Sequence, residues 1–194
     1  FMGAYVSAHA TRFTGAWVSF ANRRKAWAYL QDQLPTTHPI VADIPDLEAA
    51  KLNFDGITYA KGASVLKQLA AYVGDDAFFE ASRRYFAEFA YGNTTLADLL
   101  GHASAASGRA LDAWADAWLR TTGVSTLSYD GTTLRQTDPR PHRLAIGLHD
   151  ADAAGNPVRT SRRALDIAEV STPPQLPRAP LTSPTLRHPP STAH

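Results

Sequence analysis

Phe54-Asp55-Gly56-Ile57-Thr58-Tyr59-Ala60-Lys61-Gly62-Ala63-Ser64-Val65-Leu66 is the stretch on which the fold turns. Asp55 offers the side chain of a helix N-cap. Behind it Tyr59, Ala63, Leu66, Ala70 and Val73 fall at i, i+4, i+7, i+11 and i+14, the spacing of one helix face. Gly74 supplies the stop. A glycine inside such a helix costs about 1 kcal/mol relative to alanine, so Gly62 predicts close approach by another backbone or a ligand. Tyr59, one turn into the helix, reads on residue type alone as a core tyrosine whose hydroxyl bonds to a neighbour. Ser64 reads as a small packing residue.

Upstream, Phe1 to Ala10 reads as a helix entered midway, and Thr14 to Leu34 as a longer helix carrying Trp17, Phe20, Trp27 and Leu30. Between Pro35 and Phe54 the pattern is irregular, which predicts a loop with one extended piece bounded by Pro39 and Pro45. Downstream, a helix over Asp75 to Tyr91 presents Phe78, Phe79, Phe86 and Phe89. Thr95 followed by Asp98 predicts a capping box on a helix ending near Gly108. A further helix holds Leu111, Trp114 and Trp118, with Gly123 as its stop. The period then changes, and Val124 to Tyr129, Thr132 to Gln136, Arg143 to Leu148 and Arg163 to Ile167 read as short strands. Of the 13 prolines, 7 lie in the last 22 residues, where no aromatic residue occurs, so a disordered tail is expected there. The expected organisation is a helical unit over 1–122, a partial β unit over 123–170 and a proline-rich tail over 171–194.

The composition excludes several function classes. With 194 residues and 44% hydrophobic residues the chain can bury a core. Lys and Arg number 19 against 18 Asp and Glu, a balance that provides no field for nucleic acid or an anionic membrane surface. No apolar run approaches the roughly 20 residues that span a bilayer. The absence of cysteine excludes disulfides and thiolate metal sites and fits a reducing, cytoplasmic location.

A search for catalytic signatures finds little. The histidines are His9, His38, His102, His142, His149, His188 and His194; none is followed by Glu, and no two share an i, i+4 helix face. Only His38, in the loop before Pro39, is a candidate for a site, beside the simpler reading of a loop histidine bonded to backbone. No Gly-x-Ser-x-Gly and no phosphate-cradling glycine pattern occurs.

The 54–66 stretch resembles the tyrosine helix of the aminopeptidase N family, whose members carry aromatic-Asp-x-Ile-x-Tyr-x-Lys-Gly-Ala. Other segments agree in order: Thr37-His38-Pro39-Ile40, Tyr91-Gly92-Asn93-Thr94-Thr95, and Leu111 to Val124 with Trp114, Trp118, Leu119 and Gly123. The likeness covers residues 1 to about 125, weakens to about 170 and is absent beyond. It implies a mainly α fold: the helical C-terminal half of a thermolysin-like catalytic domain, followed by part of a small β-sandwich. It also implies a zinc-dependent aminopeptidase acting on peptides, with Tyr59 as the catalytic tyrosine that donates a hydrogen bond to the oxyanion of the scissile carbonyl. The family's His-Glu-x-x-His helix, its third zinc ligand and its Gly-x-Met-x-Asn loop would all precede Phe1, and Met2 does not supply that loop. On this resemblance zinc would be held, and the substrate amine gripped, by a missing N-terminal part acting as partner. Two other readings remain beside it: a non-enzymatic helical scaffold with Tyr59 in its core, and a truncated product or one piece of a split enzyme.

Overall fold

The apolar periodicity becomes a stack of helices with an antiparallel β unit behind it. The computed structural model describes residues 1–130, 133–138, 140–167 and 171–172. Helices α1 (Met2–Ala10), α2 (Ala16–Ser19), α3 (Ala26–Asp32), α4 (Leu47–Leu52), α5 (Gly62–Val73), α6 (Asp75–Glu88), α7 (Leu96–Ser107) and α8 (Asp112–Leu119) come first. Two π-helical turns join them: Phe20–Lys25 makes α2 and α3 one continuous rod, and Ile57–Lys61 leads directly into α5. Strands β1 (Leu127–Tyr129), β2 (Leu134–Gln136), β3 (His142–Ala151), β4 (Pro157–Ile167) and β5 (Ser171–Thr172) follow. They form one sheet of order β1-β2-β5 and one hairpin, β3-β4, all antiparallel. No helix among the described residues is long and apolar enough to cross a membrane.

The helix boundaries follow local chemistry. Thr95 accepts from the Asp98 N–H while the Asp98 carboxylate accepts from the Thr95 N–H, a complete capping box that starts α7. Gly108, at φ 69°, closes α7 in the left-handed conformation that glycine adopts without a Cβ penalty. The core lies where α5, α6, α7 and α8 meet, with Val65, Leu69, Val73, Phe78, Ala103, Leu111, Trp114 and Leu119 packed together. Trp114 is its largest member, 1% exposed and stacked 6.3 Å from Tyr72.

Several expectations are corrected here. The 35–54 stretch contains a helix, α4, whose start Asp46 caps by accepting from the Ala49 N–H. Its apolar residues Leu47 and Leu52 face outward, so no inward stripe marks it. The last helix ends at Leu119 rather than at Gly123. Phe86 is 71% exposed and does not share the buried face of Phe78. Strands β3 and β4 are about twice as long as expected, paired from His142↔Ile167 to Ala151↔Pro157 with an irregularity at Leu148/His149. Ser171 and Thr172, the first residues of the expected tail, pair with β2. The rest of that tail, residues 173–194, lies outside the described residues.

The largest correction concerns the face of α5. The buried positions run Ile57, Ala60, Lys61, Val65, Leu69, Ala70 and Val73, and Tyr59 is not among them. Bonding in the π-helical turn shifts the phase relative to a uniform α-helix. A lysine also fills one of the buried places, where a hydrophobicity pattern reads a gap. Lys61 Nζ lies 2.8 Å from Asp32 Oδ2, with the two side chains 6% and 2% exposed. Lys61 Nζ also donates to the Gly123 carbonyl at 3.2 Å, and Asp32 Oδ1 accepts from the Thr37 hydroxyl at 2.7 Å and the Gly123 N–H at 3.1 Å. Burial alone would raise the Asp32 carboxyl. Contact with Lys61, the bonds from Thr37 and Gly123 and the lysine charge reverse that and hold it below its ordinary value.

The β unit is fastened to the same place. Arg140 donates to the carbonyls of Gly123 and Thr122 at 3.0 and 2.8 Å, and Trp118 Nε1 donates to the Pro141 carbonyl at 2.9 Å. Gln68 on α5 meets His142 Nδ1 on β3 at 2.9 Å.

Removing one partner of a buried pair leaves the other charge uncompensated. Lys61→Ala is therefore expected to lower the unfolding free energy by about 3–5 kcal/mol, read from urea denaturation. Because the Asp32 carboxyl is depressed on folding, its contribution is complete above the unfolded value of about 3.9 and is lost as pH falls through the folded value. The stability advantage of the native chain over Asp32→Asn should stay level from about pH 7 to 5 and shrink below about pH 4; urea midpoints measured across that range check it.

Candidate functional site

Tyr59 is the third residue of the π-helical turn Ile57–Lys61, and the start of that turn is held by Asp55. Asp55 Oδ1 accepts from the N–H groups of Ile57 and Thr58, both at 2.9 Å, and its main-chain carbonyl accepts from the Tyr59 N–H at 3.1 Å. Asp55 therefore does the capping expected of it. The Tyr59 ring lies 5.9 Å from that of Phe54, and 54% of the residue is exposed. Its hydroxyl has no hydrogen-bond partner among the described residues. The expectation of a core tyrosine with a bonded hydroxyl thus fails, and the phenol is free to donate.

The ring borders a groove of about 440 Å³ lined by apolar side chains, Ile40, Val41, Leu66, Leu100 and Trp114 among them, with Phe1 at its edge. Tyr59 also borders a cleft of about 550 Å³ that includes Ser7, Arg23 and Arg24. A separate cavity of about 230 Å³, lined by Asp32, Lys61, Gln68 and His142, lies at the junction with the β unit and does not touch Tyr59. There burial lowers the His142 imidazole from its ordinary value, with Asp138 opposing and Arg140 adding to the effect.

His38 is brought to the same turn. Its Nε2 lies 2.9 Å from Asp55 Oδ2, and its Nδ1 lies 2.8 Å from the Pro39 carbonyl. The backbone-bonded reading of this histidine is realised, and its other nitrogen meets the turn that carries Tyr59. Ser64 donates to the Ala60 carbonyl of its own helix at 2.8 Å, as a packing residue does. Gly62, expected to mark close approach, has room: an added Cβ would meet nothing nearer than the Ile57 carbonyl at 3.8 Å. The close approach is at Gly56, where a Cβ would lie 2.5 Å from Gln31 Oε1 and 2.9 Å from the Trp27 ring. Neither Gly56 nor Gln31 was legible as a site residue, because the contact joins positions 25 residues apart with no periodic signal.

Among the described residues no group of three or more His, Asp or Glu could hold a metal ion. The described part of the chain does not by itself fit a zinc site.

The model of the Peptidase family M1 domain matches residues 1–118. The chain belongs to peptidase family M1. Over 193 aligned residues it is 49% identical to aminopeptidase N of Streptomyces lividans, covering 88% of this chain and 22% of that protein. It is 34% identical over 130 residues to the tricorn protease-interacting factor F2 of Thermoplasma volcanium, covering 64% of this chain and 17% of that one. A leucyl aminopeptidase of Saccharolobus solfataricus is 37% identical over 83 residues, 43% of this chain and 11% of that protein. The chain thus spans about a fifth, or less, of the length of these M1 relatives.

Because Gly56 packs against Gln31 and Trp27, Gly56→Ala forces the 54–59 turn away from α3. We expect a loss of about 1–3 kcal/mol in urea denaturation, typical of overpacking, with the α6–α7 pairing retained. A loss within about 0.5 kcal/mol, the scale of an ordinary surface change, would show that the turn is not seated there.

Proposed function

We propose that residues 1–122 are the C-terminal helical part of a thermolysin-like metalloaminopeptidase domain, that 123–170 belong to a small β-sandwich, and that Tyr59 is a catalytic hydrogen-bond donor. The supporting observation is the Tyr59 phenol itself: unbonded, more than half exposed, and standing at the edge of an apolar groove in a family M1 chain. The substrate class is peptides, cleaved at the N-terminal residue. Zinc enters as a property of the family, and its ligands would come from polypeptide outside these 194 residues, together with the group that grips the substrate amine. The absence of cysteine supports a cytoplasmic setting.

What this chain contributes is a donor aimed at developing charge. When a nucleophile adds to a peptide carbonyl, negative charge builds on the oxygen, and a preorganised donor there lowers the barrier. A phenolic hydroxyl can donate a hydrogen bond to that oxygen without transferring its proton. The groove beside the ring is lined by the apolar side chains Ile40, Val41 and Leu66, and a substrate seated there would displace water and strengthen such a bond.

The test uses aminopeptidase N of Streptomyces lividans carrying residues 1–122 of this chain in place of its matching stretch. Tyr59→Phe should lower kcat by about 10² to 10³, the usual effect of removing one oxyanion donor, with folding unchanged by circular dichroism. Unaltered turnover refutes the proposal. The 194-residue chain on its own should release no amino acid from peptides, and one tightly bound zinc per chain by metal analysis would overturn the assignment of the ligands elsewhere.

A further inference from the structure

We infer that Gln31 and His38 are positioning residues for Tyr59, acting through Asp55 as a clamp on the turn that carries the phenol; this rests on the reading of Tyr59 as the donor. The hydroxyl has no partner of its own, so the place of the phenol is set by the backbone beneath it and by packing on Phe54. That backbone hangs on one carboxylate. Asp55 Oδ1 holds the N–H groups of Ile57 and Thr58, and Oδ2 is held in turn by Gln31 Nε2 at 2.5 Å and His38 Nε2 at 2.9 Å. Gln31 closes the circuit, its Oε1 accepting from the Gly56 N–H at 2.7 Å. One amide side chain on α3 therefore grips both the carboxylate and the main chain of the turn.

His38 is held as firmly on its far side. Its Nδ1 lies 2.8 Å from the Pro39 carbonyl and its Nε2 lies 2.9 Å from the Asp55 carboxylate, so the ring is tied to its own loop and to the turn at once. The Asp55–His38 contact is three-quarters or more shielded from water on both side chains, so it resists screening better than an exposed pair. The three side chains come from three elements: α3, the loop before α4 and the turn before α5. A purely local cap would need only Asp55. The added grip from Gln31 and His38 fixes the turn against α3, and thereby fixes where the phenol stands over the groove.

Two measurements test this. In the 194-residue chain, Gln31→Ala should speed amide exchange of Ile57, Thr58 and Tyr59 by about tenfold or more, leaving the amides of α6 and α7 unchanged, as expected of a local opening. Unchanged exchange at those three amides overturns the clamp. In the Streptomyces lividans enzyme carrying residues 1–122, Gln31→Ala and His38→Ala should each lower kcat about 10- to 100-fold with KM unmoved, the scale of displacing a catalytic group by up to about 1 Å. Each should add nothing further once Tyr59 is phenylalanine, because the clamp acts only through the phenol. If Tyr59→Phe slows turnover and the clamp variants add their full cost on top of it, the donor reading stands and the clamp falls. If Tyr59→Phe leaves turnover intact, the donor reading falls and takes this inference with it.

Discussion

The Lys61–Asp32 ion pair is the contact on which the rest of the structure depends. It joins the end of α3 to the head of α5, and through Gly123 it reaches the segment that leads into the β unit. Lys61 also closes the π-helical turn that Asp55 opens. Tyr59 therefore stands between two anchored ends, one tied to Asp32 and one tied to Gln31 and His38. Its own hydroxyl is not spent on holding the fold.

A buried ion pair is a weak source of net stability, because desolvation offsets much of the attraction. Its strength is that the geometry is exacting: two side chains almost sealed from water must meet, and the carboxylate must also find Thr37 and the Gly123 N–H. We read its role here as registry between α3, α5 and the 120–123 segment. The hydrophobic core around Leu69 and Trp114 supplies the bulk of the burial, and that kind of packing alone tolerates small slides.

The helices were legible wherever the signal was local. Asp55, Thr95 with Asp98, Gly74 and Gly108 each mark a boundary through a bond or a dihedral within a few residues, and the structure realises each of them. The family was legible too, from the Phe54–Leu66 stretch and its ordered companions. What escaped lacked an inward apolar stripe or depended on residues distant in sequence, although α4 does carry a local cap at Asp46. Helix α4 turns its leucines outward, the α5 stripe is re-phased by a π-helical turn and completed by a lysine, and Gly56 is tight only because Gln31 and Trp27 arrive from α3. Tyr59 could be named from its motif, but its free hydroxyl and its groove follow from tertiary placement, which periodicity places on the wrong face.

The decisive measurement is a distance. In a crystal of the Streptomyces lividans enzyme carrying residues 1–122 of this chain, with a tetrahedral peptide analogue bound, the Tyr59 hydroxyl should lie about 2.7–3.1 Å from the analogue oxygen that mimics the oxyanion. A phenol turned away from that oxygen, with another group of the protein in its place, would contradict the role assigned to Tyr59.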